Sequence, residues 1–298
     1  MKTKGVLLIL STAIISGFAI FIGKFGVSVI NPYIFTALKN IVVVIIICSL
    51  LLSIKEWKSL KSLSKKNWIL LLIIGLIGGS IPFLLFFKGL SLTTAVQGSF
   101  IHKTMFIYIA VFAAIFLKEK ISKKFLIGGL FLLLGNVFLL RLIPGSLGIG
   151  DLLILIATFF WAAENVISKH TLKELSPRIV IWGRMFFGSI FILLFLIITN
   201  QIYLISTINI SQIIWTIVTG VILFGYVITW YTGLKYIPVS LAALILLLGS
   251  SITTLLSLVQ VGTIDFTQIL GTTFIFLGII IITTTLYFFR KNSCLELK

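Results

Sequence analysis

"NPYIFTALKN" occupies residues 31–40 and "SPRIVIWGRM" occupies residues 176–185. Pro32 and Lys39 of the first stretch match Pro177 and Arg184 of the second, both at an offset of 145. Lys24 and Lys169 share that offset. Further on, "FKGLSLTTA" (87–95) parallels "YTGLKYIPV" (231–239), with Gly89-Leu90 matching Gly233-Leu234 at 144. Gly128 with Gly271, and Gly135 with Gly278, match at 143. The chain therefore reads as one unit written twice, residues 1–145 and 146–298, with a drift that small loop differences produce.

Composition says what kind of unit this is. The 298 residues are 59% hydrophobic and 10% charged, and the mean hydropathy is +1.24. A soluble domain carries about 25% charged residues. That surplus of apolar residues exceeds what a soluble core can hold, so the chain reads as an all-α, multi-pass membrane protein. A net charge of +17 raises nucleic acid as a partner. The cations, however, lie in short gaps between apolar runs and form no basic face, so nucleic acid is not expected. Cys48 sits in an apolar run and Cys294 near the end of the chain, and neither suggests a disulfide or metal site. Lys2 and Lys4 precede an apolar stretch without a small-residue cleavage site, which reads as a retained first helix.

Each membrane span needs about 20 mostly apolar residues. Ten are expected, near 5–23, 33–54, 67–87, 93–117, 125–142, 151–169, 178–199, 211–234, 237–262 and 267–289. Pro32, Pro144, Pro177 and Pro238 mark helix starts or the turns before them. Pro82 falls inside the third span, where it frees a carbonyl and permits a kink. With both termini cytoplasmic, the inner segments hold 18 of the 24 Lys and Arg residues. The outer side then holds only Lys24, Lys88 and Arg141. Such a split predicts cytoplasmic termini in a cell membrane. A repeat with five spans enters the second time from the opposite face, so the halves are expected to be inverted about an axis in the membrane plane.

Longer stretches carry a resemblance: "FFKGLSLTTAVQGSF", "AAIFLKEKISKKFLIGGLFLLLG", "WYTGLKYIPVSLAALILLLG" and "ILGTTFIFLG". In these the chain resembles EamA-type members of the drug/metabolite transporter superfamily over nearly its whole length. The resemblance implies ten helices, cytoplasmic termini, and a central cavity between the halves, with the fifth and tenth helices peripheral. One departure stands out. The family often carries an acidic residue after the fourth helix of each half. Glu119 fills that place in the first half, whereas Thr263 stands there in the second, with Asp265 close but out of register.

Five ionisable residues fall inside spans: Lys39, His102, Lys103, Glu164 and Arg184. A Lys or Arg at a helix centre costs about 2.5–3.5 kcal/mol on insertion scales, so it needs a wet cavity or a partner. Lys103 lies deepest and shares a helix face with Ser99, Ala110 and Ala114. It reads either as an anion-attracting substrate site or as a structural ion pair with Glu164. His102 points about 100° away and reads as a proton relay or as a neutral ring bonded to a helix carbonyl. Glu164 could carry a coupling proton, hold a substrate amine, or neutralise Lys103 or Arg184. Lys39 and Arg184 lie nearer the interfaces. They are expected to snorkel or to cap loop carbonyls, and their matched positions suggest gating or ion-pair roles. Trp161, Tyr226 and Trp230 are candidate substrate-stacking rings, the last two one turn apart. Gly75 and Gly79 read as a close helix-packing pair.

The expected function is a secondary transporter, an exporter by family likeness, of a small polar organic solute such as an amino acid, carboxylate or related metabolite. It would work by alternating access around a midplane cavity. The expected partners are that solute, the bilayer and protons as coupling ion, in a monomer or homodimer. No nucleotide-cradling glycine loop, cofactor motif, catalytic constellation or metal-ligand spacing is present. The competing readings are a flippase for lipid-linked or nucleoside/sugar-type solutes, and an integral membrane enzyme.

Overall fold

A computed structural model describes residues 2–121, 123–140 and 148–261, and beyond these 266–267, 270–271, 273–275, 277–278 and 280–281. The regular elements among them are helical: α1 (Lys2–Val29), α2 (Pro32–Ser53), α3 (Lys65–Ile74), α4 (Ile81–Leu92), α5 (Ala95–Lys103) and α6 (Met105–Phe116). They continue with α7 (Lys123–Leu140), α8 (Ile149–Thr171), α9 (Pro177–Ile198), α10 (Ile210–Tyr236), α11 (Val239–Leu246) and α12 (Leu248–Val261). Among the described residues eight segments are long and apolar enough to cross a membrane: α1, α2, Lys65–Leu92, Ala95–Phe116, α8, α9, α10 and Val239–Ser257. The fifth expected span falls on α7, whose apolar stretch is Leu126–Gly135. Most of the tenth, together with Arg141, Pro144, Thr263, Asp265 and Cys294, lies outside the described residues.

Local sequence sets the helix ends. Asn31 and Ser176 cap α2 and α9, each with proline in the first turn. Asn209 and Gln212 bond reciprocally at the start of α10. After α2 and α9 the chain turns through Lys55 (φ 59°) and Asn200 (φ 54°), and each residue leads into a short 3₁₀ turn. Both lie 145 residues apart, so the repeat extends to backbone conformation.

Lipid tails give helices little hydrophobic reason to associate, so close contact depends on small residues. The most extensive packing joins α1 to α10 and α4 to α8. Both pairs meet backbone to backbone at glycines. A Cβ on Gly233 would lie 3.2 Å from the Gly5 carbonyl oxygen, and one on Gly150 would lie 2.8 Å from that of Gly89. Gly5 and Gly150 are 145 residues apart, and Gly89 and Gly233 are 144 apart, so these are the same contact made twice. Large side chains such as Ile45, Ile115 and Ile198 point outward and are more than half exposed. Such a surface suits a bilayer, and the protein is a multi-pass membrane protein.

Two expected continuous spans are interrupted. The fourth breaks at Thr104 into α5 and α6, and the ninth breaks at Leu247 into α11 and α12. At each break a backbone N–H bonds three residues back: Ile107 N to Thr104 O at 2.9 Å, and Ser250 N to Leu247 O at 3.2 Å. The first part of each packs on the second part of the other, α5 on α12 and α6 on α11, so the two broken helices run antiparallel. His102 and Lys103 form the last turn of α5. A cation in the last turn of a helix is favoured by the helix dipole, a placement of Lys103 hidden while the span is read as continuous.

Candidate functional site

The third span carries the other interruption, a π-helical turn at Gly75–Ser80. Pro82 has no N–H, so the carbonyl four residues back, that of Gly78, loses its partner. Side chains from two distant helices replace it. Trp161 Nε1 donates to Gly78 O at 2.9 Å, and Arg184 Nη2 donates at 3.0 Å. Asn40 Nδ2 donates to the next carbonyl, Gly79 O, at 2.9 Å. These donors can reach the backbone because neither glycine bears a side chain. A Cβ on Gly79 would lie 2.0 Å from Arg184 O, and one on Gly78 would lie 2.3 Å from Glu164 Cγ. Gly75 likewise lies against Phe187 and Gly188, so the expected close packing at Gly75 and Gly79 is with α9.

Two of the side chains gathered at this turn, Trp161 and Arg184, also line a cavity of about 80 Å³ bounded by α1, α2, α4, α5, α6, α8, α9 and α10. That is room for a few water molecules. Phe83, Phe86, Phe87, Trp161, Tyr226 and Trp230 line it, with Trp161 packed against Phe83 and Phe86 at 5.3 Å each. Tyr226 and Trp230 stack on each other at 6.3 Å, and His102 lies edge-on to Trp161 at 5.0 Å. Asn165 ties the aromatic wall together. Its Nδ2 donates to Trp161 O, and its Oδ1 accepts from Trp230 Nε1, both at 2.7 Å.

Of the residues expected from sequence, His102, Trp161, Tyr226, Trp230, Lys39 and Arg184 line this cavity. Lys103 is set behind its wall. Its Nζ donates to Ser16 Oγ at 2.5 Å and lies 3.3 Å from His102 Nδ1, and Ser16 rather than the ammonium faces the cavity. The expected Lys103–Glu164 ion pair is absent among the described residues. The break at Thr104 turns Lys103 toward α1, where it finds a hydroxyl instead. His102 likewise meets this ammonium rather than the expected carbonyl. Ser99 faces α12 and bonds Thr253 Oγ1 at 3.1 Å. Glu164 lies just outside the lining. It accepts from Tyr231 OH at 2.6 Å and from Ser168 Oγ, while Oε2 and the neighbouring Arg184 Nε have no hydrogen-bond partner.

Lys39 and Arg184 do not snorkel; each is only 4% exposed. Arg184 caps a carbonyl, but that of the mid-span Gly78 rather than one in a loop. Lys39 Nζ sits 3.4 Å from the Phe87 ring centroid, 5.2 Å from Phe35 and 5.4 Å from Phe83, with no described hydrogen bond or ion pair. Arg184 Cζ is also 5.4 Å from the Phe83 centroid, so both cations share that ring. Magnitudes show what this arrangement lacks. Removing an ammonium from water costs several kcal/mol, even after relaxation. A desolvated cation–π contact returns about 2 kcal/mol. The rings therefore offset only part of the cost.

Reading the ionisable residues alone missed Asn40, Asn165, Ser16 and Tyr231. Asn40 and Asn165 carried a usable signal, because an amide inside an apolar span has the same need for a partner as a charge. Gly78 was also within reach, as the residue four before Pro82.

A family model described as "EamA-like transporter family" matches residues 3–141 and again 148–284. Over 232 residues the chain is 27% identical to the uncharacterized transporter YyaM of Bacillus subtilis (strain 168), covering 74% of each protein. Over 222 residues it is 26% identical to the riboflavin transporter ImpX of Fusobacterium nucleatum subsp. nucleatum (strain ATCC 23726 / VPI 4351), covering 67% of this chain and 71% of that one. A solved crystal structure superposes with a TM-score of 0.76 at 18% identity, covering 96% of this chain and 98% of the other, a likeness of fold.

Proposed function

The chain belongs to the EamA-like transporter family, and from that premise we propose that it is a secondary transporter of a small polar organic solute. The solute binds in the cavity walled by α1, α2, α4, α5, α6, α8, α9 and α10, and alternating access exposes it first to one side and then to the other. One observation carries this reading. Polar and cationic side chains from both halves, His102, Asn165, Lys39 and Arg184, are buried together around a shared space.

The architecture that goes with it is ten helices in two inverted five-helix repeats, 1–145 and 146–298, with cytoplasmic termini in a cell membrane. The antiparallel packing of the two broken helices supports it, as do the glycine contact made twice and the double match of the family model. Two similar halves that exchange conformations exchange the open side. A flat heteroaromatic solute falls within this reading, favoured by the aromatic walls and by the likeness to the riboflavin transporter. Glu164, with one carboxylate oxygen unpartnered beside Arg184, is the candidate carrier of a coupling proton.

Counterflow into vesicles reconstituted with purified protein tests the reading. Preloaded solute should drive saturable uptake of labelled solute. Tyr226→Ala should lower that uptake at least about tenfold with the melting transition kept, as removal of a wall ring implies. Uptake that is unsaturable, or unchanged in Tyr226→Ala, would remove the cavity as the site. A Glu164→Gln variant that still responds to a pH gradient would remove Glu164 as the proton carrier.

A further inference from the structure

Among the cavity-lining residues the charges are of one sign. Lys39 and Arg184 face the space, and no carboxylate does. Glu164, the acid nearest to it, is turned toward Tyr231 and Ser168 behind the wall. The two cations are not equivalent. Arg184 spends one nitrogen on Gly78 O, where it replaces the hydrogen bond that Pro82 cannot make. Lys39 has no such structural duty. Its Nζ is buried among Phe35, Phe83 and Phe87 without a described hydrogen-bond acceptor. An ammonium offers three donors, and the rings satisfy its charge only in part and its donors not at all.

We infer that the transported solute is an organic monocarboxylate with a flat aromatic body and no positive charge, its carboxylate held by Lys39. This deepens the transporter reading and rests on it. One cation with no structural hydrogen bond to keep matches one anionic group. The flat walls of Phe83, Phe86, Trp161 and Trp230 match a ring, which they can meet edge-on or by offset stacking. A cationic amine on the same body would meet Lys39 and Arg184 without a countercharge in the lining, so like-charge repulsion selects against amines and zwitterions. The cavity as it stands, about 80 Å³, is closed more tightly than such a body requires, so binding accompanies its opening.

Three probes of one shape test this: 3-phenylpropanoate, phenylalanine and phenethylamine, each titrated against the purified protein and then used in counterflow. 3-Phenylpropanoate should bind and be taken up, phenylalanine should bind at least about tenfold more weakly, and phenethylamine should not bind. Lys39→Gln should lose at least about tenfold in affinity for 3-phenylpropanoate, and Lys39→Arg, which keeps the charge, should retain most of it. If Lys39→Gln does not fold, the ranking of the three probes on the unaltered protein still decides. Equal or better binding of phenylalanine or phenethylamine would overturn the inference, as would no binding of 3-phenylpropanoate or an unaffected Lys39→Gln. Saturable uptake of phenethylamine or of uncharged riboflavin, without uptake of 3-phenylpropanoate, would overturn it and leave the transporter reading standing. Binding of 3-phenylpropanoate without uptake of any solute would support the anion site and overturn the transporter reading.

Discussion

The turn between α4 and α5 and the turn between α10 and α11 occupy equivalent places, since Ala95 and Val239 start the following helices 144 residues apart. Each is held by a lysine and an acid. Lys24 Nζ donates to Leu90 O at 2.9 Å and Ser91 O at 3.4 Å. Lys169 Nζ donates to Leu234 O at 2.6 Å and Ile237 O at 2.8 Å. The lysines are repeat-related; the acids are not. Glu119, from the end of α6, accepts from Val239 N at 2.9 Å and from Ser240 N and Oγ, capping α11. At the other turn Asp151, from the start of α8, accepts from Thr93 Oγ1 at 2.8 Å and Gln97 Nε2 at 2.9 Å. Both acids cross from one half of the chain to the other. The difference teaches that a duplicated frame conserves the place that needs a negative charge, and that the chain position supplying it can change.

The comparison between halves breaks hardest at the π turn, which only the first half has among the described residues. Gly79→Ala would place a methyl 2.0 Å from Arg184 O, a backbone atom that cannot step aside. Leu223, its counterpart 144 residues on, already bears a side chain. We expect Gly79→Ala to cost about 3 kcal/mol or more, the upper end for overpacking, read as lost yield and a lower melting temperature. The two acids come next. Glu119→Gln gives up charge at a helix N-terminus and keeps an accepting oxygen for only one of the two backbone N–H groups, an expected loss of about 1–2 kcal/mol in thermal unfolding. Asp151→Asn keeps an oxygen for Thr93 and should cost about 1 kcal/mol. If Asp151→Asn proves the more damaging, the two acids are not doing equivalent work. The smallest effect should come from the lysines. Lys24→Met and Lys169→Met each leave carbonyls at a helix end that water or a tightened last turn can satisfy, so each should lower stability by about 1 kcal/mol and by similar amounts. A clear inequality between them would show that the repeat has diverged at these ties.

Much of this was legible beforehand. The offset of 145 marked Lys24 and Lys169 as repeat-related, though not what they bind, and Pro82 anticipated a freed carbonyl. The site was only partly legible. Lys103 drew attention by depth, yet Ser16 stands between it and the cavity, whereas Lys39, expected to reach the interface, faces the cavity inside a ring cage. Helical periodicity assigns faces only while the helix is regular, and the interruptions at Thr104 and at Gly75–Ser80 change the phase.

Taken alone, the sequence determined that the chain is helical, membrane-embedded and duplicated, because apolar length, charge placement and residue offset are properties read along the chain. Tertiary structure alone decided which cation meets the cavity and which is walled off. It also chose Trp161 and Arg184, 83 and 106 residues away, to satisfy the carbonyl of Gly78. The physical reason is that a buried polar group must find its partner in space, and nothing local to it in the chain names that partner.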